Sequence, residues 1–190
     1  MFKTRITEML GIPHPLLVWG MMWPCTPPLS AAISGAGGMG NLTAGNYPSE
    51  EDFRNAIRET GKLTDRPFMV NLTLHPSVRV TADHHDMYIK VCAEEKIAGI
   101  EVSGSSLDRA AGMKAIEILR KAGVRLFQKA GSVRHALHAE KVRYDGIYAA
   151  GFEEGGHPLI DDVPTCREPL DRMADVARLR LDRARSTIIS

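Results

Sequence analysis

The chain has 190 residues, of which 44% are hydrophobic and 25% are charged, a balance typical of one soluble globular domain. Its formal net charge of +1 gives no field that would favour nucleic acid, and no stretch approaches the ~20 apolar residues of a membrane span. The three cysteines are far apart and odd in number, and the charged N-terminus lacks the apolar run of a signal peptide, so we expect a cytoplasmic protein with reduced thiols.

Short apolar runs alternate with helix-like segments along most of the chain. The pattern predicts a strand at 15–19, helix 27–33, strand 39–42, helix 49–60, strand 67–72, helix 83–95, strand 99–103, helix 106–122, strand 123–127, helix 132–142 and strand 146–150. Continuous apolar runs are typical of strands that are buried on both faces.

Six β/α units at regular spacing predict a parallel sheet covered by helices. The short strands favour a TIM-like β/α barrel over an open doubly wound sheet, although a complete barrel typically needs ~250 residues. We therefore predict an incomplete β/α barrel at residues 1–164. Residues 165–190 are an arginine-rich tail whose apolar residues follow helical spacing, which predicts one amphipathic helix.

A glycine-rich loop follows the sixth predicted strand and contains Gly155, Gly156 and His157. Loops at the carboxyl ends of parallel strands are where β/α folds carry out chemistry. Glycines let the backbone approach a flat ligand closely, and a histidine can exchange a proton near neutral pH. His157 is therefore a candidate catalytic base, and the alternative is a solvated histidine in a Gly-Pro loop.

Other polar patterns favour neither a dinucleotide nor a metal. The glycines at 35–40 follow a helix and precede a strand, which is the reverse of a Rossmann phosphate turn. The histidines at 84 and 85 open a helix, and those at 135 and 138 are placed on a helix face without a cluster of further ligands. We expect no metal site.

Several motifs occur in the order and register of one known family. They lie at 1–12, 20–21, 36–40, 67–71, 129–136 and 151–163. Together they resemble the nitronate monooxygenase family, also called 2-nitropropane dioxygenase-like flavoproteins, from residue 1 to about residue 165. The resemblance implies an FMN-binding β/α barrel that oxidises nitroalkanes or nitronates with O2.

The resemblance also implies roles for individual residues. Seven positions would bind the cofactor: Gly20, Met21, Asn71, Gln128, Lys129, Gly155 and Gly156. Of these, Lys129 would stabilise negative charge on the reduced flavin. His157 would remove the proton α to the nitro group while the flavin accepts the electrons.

The sequence departs from the family at two places. Val18 and Trp19 stand where the family has a glutamine and a small residue. After Pro164 the likeness fades, and the two β/α units that carry the phosphate-binding loops are not evident. We therefore expect this chain to bind FMN little better than riboflavin, and we expect open sheet edges that favour a homo-oligomer.

Two other functions stay open at this point. One is a flavin-dependent enoyl-thioester reductase, a related barrel with a similar Gly-Gly-His loop, which would need reduced nicotinamide and an enoyl substrate. The other is a non-catalytic fragment or interaction subunit.

Overall fold

A single parallel sheet of five strands forms the centre of the protein. The computed structural model describes residues 3–75, 80–150, 165 and 167–188. The strands are β1 Gly40–Thr43, β2 Phe68–Leu74, β3 Gly99–Gly104, β4 Arg125–Ala130 and β5 Gly146–Ala149. They lie side by side in sequence order, and each pairs in parallel with the next. This is the succession of β/α units in a barrel wall, and it confirms the predicted fold class.

Helices connect the strands and cover one face of the sheet. Their bounds are α1 Arg5–Leu10, α2 Pro27–Gly35, α3 Glu50–Leu63, α4 Ala82–Glu94, α5 Leu107–Ala111, α6 Met113–Lys121, α7 Val133–Lys141 and α8 Arg167–Ile188. In the described part of the chain, no helix combines the length and apolarity needed to cross a membrane.

The first predicted strand is much shorter than expected. Only Leu17 forms a parallel bridge, opposite Met39, and the backbone N of Val18 donates to the Met39 carbonyl at 3.0 Å. Pairing does not continue to Gly20, because the backbone N of Gly20 bonds the carboxylate of Glu101 in β3 instead of β1. The prediction of a strand at 15–19 is therefore wrong in extent.

Two further differences concern helices. The predicted helix at 106–122 is divided at Gly112, whose φ of 78° lies in the left-handed region that favours glycine and cannot continue a helix. Helix α1 was not predicted from the sequence. It begins with a capping box between Thr4 and Thr7 and ends at Gly11, with φ 66°.

The two faces of the sheet have different neighbours. The outer face packs against the helices through a large apolar cluster that includes Leu42, Val70, Ile100 and Leu126. The inner face, which corresponds to the lumen of a barrel, is apolar at its amino end. There Met39, Met69, Phe127 and Tyr148 pack together with Leu10 and Ile12 from α1 and the turn after it. Towards the carboxyl ends of the strands the inner face becomes polar.

Helix α8 occupies the tail and contacts α2. Leu170 packs with Ile33 and Ala36, and the guanidinium of Arg167 donates to the carbonyl of Gly35 at 2.7 Å. Residues further along α8, including Met173 and Leu179, expose apolar side chains. Self-association through open sheet edges, at the first and the sixth predicted strands, stays a prediction.

Candidate active site

A fully buried carboxylate organises the polar part of the inner face. Glu101 lies in the middle of β3, and its Oε2 accepts hydrogen bonds from the backbone N of Gly20 at 2.8 Å and from the side-chain amides of Asn41 and Asn71, both at 3.0 Å. The hydroxyl of Ser103 donates to Oε1 at 2.7 Å. Four donors directed at two oxygens are the surroundings that an ionised carboxylate requires in a protein interior. Glu101 therefore joins four segments of the chain.

Gly20 occupies a position that only glycine can take. A Cβ at this position would overlap Cβ and Cγ of Asn71, far inside van der Waals contact. Asn71 is 1% exposed beneath this glycine, and its Oδ1 accepts from the Thr73 hydroxyl at 3.2 Å. In this structure Asn71 thus supports the backbone of Gly20, and Thr73 is the exposed hydroxyl of β2 at this edge.

The loop from Trp19 to Cys25 crosses the carboxyl edge of the strands. The backbone N of Met21 donates to Sγ of Cys25 at 3.3 Å, and the Thr43 hydroxyl donates to the Met21 carbonyl at 3.0 Å. Burial raises the pKa of the Cys25 thiol, so this residue acts as a small buried group that holds the loop. The loop presents Met21 and Trp23 to solvent, and Trp23 has an unusual φ of 70°.

Lys129 lies at the inner edge of β4 above an aromatic ring. Its Nζ is 4.3 Å from the centroid of the Trp19 ring, a cation–π distance, and Trp19 packs edge-on against Tyr148 with 5.9 Å between ring centroids. The bulk of Trp19, which departs from the family pattern, is thus accommodated against the side chains of Lys129 in β4 and Tyr148 in β5. Trp19 holds the ammonium of Lys129 at the rim of the inner face.

Gln128 lies on the opposite face of β4. Gln128 pairs with Val102 of β3 and shares the outer face of the sheet with Leu126. Its Nε2 donates to the carbonyl of Val102 at 3.1 Å and to the carbonyl of Lys129 at 3.2 Å. Its Oε1 is buried without a partner in the described structure. Successive side chains of a strand point to opposite faces, so Gln128 and Lys129 do not reach the same ligand from here.

The structure brings together half of the residues that the sequence singled out. Gly20, Met21, Asn71 and Lys129 lie at the carboxyl edge of the inner face. Gln128 lies behind them, and Gly155, Gly156 and His157 are outside the described residues. Sequence reasoning missed Glu101, although a glutamate between Ile100 and Val102 in a buried strand was a visible signal.

The inner edge has the donors and the shape that suit a flavin ring. It offers the ammonium of Lys129 and the hydroxyl oxygens of Thr73 and Ser103, beside the ring of Trp19. A planar heteroaromatic ring with carbonyl acceptors would find a cationic donor and an aromatic surface here, and its own N–H group could donate to a hydroxyl oxygen. Within the described ranges, no group of three potential ligands could hold a metal ion.

Comparison with known proteins assigns the family. The family model "Nitronate monooxygenase" matches residues 3–176. The chain belongs to the nitronate monooxygenase family. This confirms the expected relationship to flavin-dependent oxidoreductases.

Individual relatives agree with this assignment. The nitronate monooxygenase of Paraburkholderia phytofirmans is 28% identical over 99% of this chain and 58% of its own length. An octahydro-indene-carboxyl-CoA dehydrogenase of Rhodococcus jostii is 32% identical over 82% of this chain and 40% of its own length. The structure of FabK from Thermotoga maritima superposes with a TM-score of 0.69 and 33% identity, over 80% of this chain and 45% of that one. The chain therefore spans about half the length of these relatives.

Proposed function

We propose that the chain is an FMN-dependent, nitronate monooxygenase-like oxidoreductase that oxidises nitroalkanes or nitronates with O2. The observation that carries the proposal is that the chain matches the family over residues 3–176 and has polar side chains on the inner face of the sheet, at the carboxyl ends of the strands. This edge is where β/α barrels hold their ligands.

In this proposal, the residues of the edge have two kinds of role. Lys129 lies at the polar rim and stabilises negative charge, and the ring of Trp19 fixes the position of its ammonium. Gly20 and Met21 form the backbone surface against the ligand, while Asn71 and Glu101 are positioning residues that hold Gly20 in place. The bound flavin would supply the redox chemistry.

His157 is the proposed base. It would take the proton α to the nitro group at a ring nitrogen, with Gly155 and Gly156 allowing close approach of the backbone, as the family motif implies. A nitronate is already deprotonated and does not need this step. The roles of these three residues rest on the sequence motif alone.

Two measurements test the proposal. The purified chain, after incubation with FMN and gel filtration, should show flavin absorbance bands. His157→Ala should lower nitroalkane oxidation by about 10²–10⁴ while leaving flavin content unchanged, and should affect nitronate oxidation much less.

Failure of each measurement has a separate meaning. A chain that takes up no flavin contradicts the enzyme and supports a non-catalytic fragment or interaction subunit. Equal turnover of nitroalkane by the variant and the unmodified chain would remove His157 from the mechanism but keep the flavoprotein.

A flavin-dependent enzyme acting on a thioester is the second candidate. It is favoured by the relative from Rhodococcus jostii, which is named for a carboxyl-CoA substrate. If the chain is an enoyl-thioester reductase, an enoyl-CoA should accelerate its oxidation of reduced nicotinamide, whereas a nitroalkane should not.

A further inference from the structure

A cavity opens beside the candidate site, between α5 and α7. Its volume is about 240 Å³. It is next to the segments that follow β3 and β4, since Gly104 ends β3 and Ser132 is three residues beyond Lys129. The side chains that matter for its chemistry are Ser106, Arg109, Ser132, Arg134, His135 and His138.

This cavity carries an excess of positive charge. Neither Arg109 nor Arg134 has an ion pair or a side-chain hydrogen bond among the residues that the structure describes. The nearby carboxylate, that of Asp108, already pairs with His138, whose Nε2 lies 3.1 Å from both of its oxygens. Burial, and then the positive charges of His138 and Arg109, lower the pKa of His135, as expected where cations crowd together.

A buried serine hydroxyl and a helix N-terminus lie beside the same space. Ser106 is 2% exposed and lines the cavity. Burial raises the pKa of the Asp108 carboxyl, but the neighbouring Ser106 and His138 side chains lower it more, so this pKa lies below its usual value. The Ser106 hydroxyl is near Asp108 but forms no well-aligned hydrogen bond in the described structure. The nine-residue helix α7 begins at the cavity after its cap Ser132, so the positive end of its dipole faces the same region.

We propose that this cavity binds the phosphate group of a phosphomonoester. Two guanidinium groups, an imidazole, serine hydroxyls and a helix N-terminus match a tetrahedral dianion with several acceptor oxygens better than a planar carboxylate. Because the cavity adjoins the strands that carry Ser103 and Lys129, the rest of such a ligand can extend over the inner edge. The phosphate belongs either to the flavin cofactor or to another phosphorylated ligand.

Titration of the complete chain with inorganic phosphate and with methyl phosphate tests the site without any flavin. Both should bind, as measured by calorimetry. Arg109→Met and Arg134→Met should each weaken binding by about tenfold or more, since charge-assisted hydrogen bonds of this kind are lost. The control is Arg120→Met, because Arg120 is exposed on α6 without a partner in the described structure, and this change should not alter binding.

Unequal folding of the variants is controlled in two ways. First, the thermal unfolding of the variants is compared with that of the unmodified chain. Second, the double variant Arg109→Lys/Arg134→Lys keeps both positive charges but loses the planar guanidinium groups, so its phosphate binding should fall less than that of the methionine variants. The NMR titration of His135 gives an independent readout, because a bound dianion should raise its pKa. Absence of phosphate binding, or equal binding by the double methionine variant and the unmodified chain, overturns the proposal.

A comparison of FMN with riboflavin separates the two sources and rests on the proposed function. If the flavin phosphate occupies the cavity, inorganic phosphate should compete with FMN but not with riboflavin, and the double variant should lose any preference for FMN. If FMN and riboflavin bind equally while inorganic phosphate still binds at the arginines, the ligand is another phosphomonoester. A chain that binds phosphate but no flavin contradicts the proposed function and leaves the phosphate site standing.

Discussion

Replacement of the buried Glu101 by methionine should be strongly destabilising. The change keeps the length of the side chain but removes the acceptor of four donors. One is the hydroxyl of Ser103, which can rotate towards another acceptor, and three are held in place: the backbone N of Gly20 and the amides of Asn41 and Asn71. A buried donor left without a partner costs about 1–3 kcal/mol. Asn41 keeps a bond to the Val18 carbonyl at 3.1 Å and Asn71 a longer one to Ser103 at 3.4 Å. We therefore expect the free energy of unfolding to fall by roughly 3–5 kcal/mol, which is less than three times the largest cost of an unpaired buried donor.

Two further variants make this prediction specific. Glu101→Gln can keep an oxygen towards the three donors and turn its NH2 group towards Ser103, so it should lose only charge assistance, about 1–2 kcal/mol. Glu117→Met removes an exposed carboxylate on α6 and should change stability by no more than about 0.5 kcal/mol. The assay is urea unfolding followed by the fluorescence of Trp19 and Trp23. A loss below about 1 kcal/mol for Glu101→Met, or equal losses for methionine and glutamine, would refute the argument.

Two other predictions concern the loop at the carboxyl edge and the buried thiols. Gly20→Ala should lower the free energy of unfolding by about 1–3 kcal/mol or more, because the new methyl group would overlap Asn71. The control is Gly61→Ala on α3, where no atom lies within 4 Å, and this change should raise the free energy of unfolding by about 0.5–1 kcal/mol. Equal stabilities of the two variants in urea unfolding would contradict the close approach of Gly20 to Asn71. Burial raises the pKa of the thiols of Cys25 and Cys92, so at pH 8 a smaller fraction of each is thiolate than in an exposed cysteine. A thiol reagent should therefore leave both cysteines unlabelled in the folded chain and label both in urea, as measured by mass spectrometry. Rapid labelling of Cys25 in the folded chain would show that the loop opens.

The strands were predictable because each is a local apolar run between turn residues, and five of six were confirmed. The first failed beyond Leu17 because the backbone N of Gly20 bonds Glu101, a residue 81 positions away, and no local pattern encodes that choice. The sequence showed a glycine at 112 within a helical pattern, which a helix can tolerate. Only the positive φ of Gly112 in the structure identifies this glycine as the end of α5.

The site was predictable only in part, and for a similar reason. Strand alternation would have placed Gln128 with Leu126 on the outer face and left Lys129 as the inner residue of the pair. Family resemblance identified the residues at strand ends, but it gave no information about what holds them. Glu101 was missed because its importance lies in partners from three other segments, which come together only in the folded chain.

The two opposite charges of the inner face have different surroundings, and this difference bears on the proposed function. Glu101 is fully buried, and its negative charge is distributed among backbone, amide and hydroxyl donors that stabilise the fold. Lys129 is half-buried at the rim above Trp19, whose aromatic ring stabilises the cation. The ammonium of Lys129 is therefore placed at the edge where, in the proposed function, the ligand would lie. A flavin bound there would gain most from Lys129 in its reduced, anionic form, so the lysine would favour acceptance of electrons from the substrate.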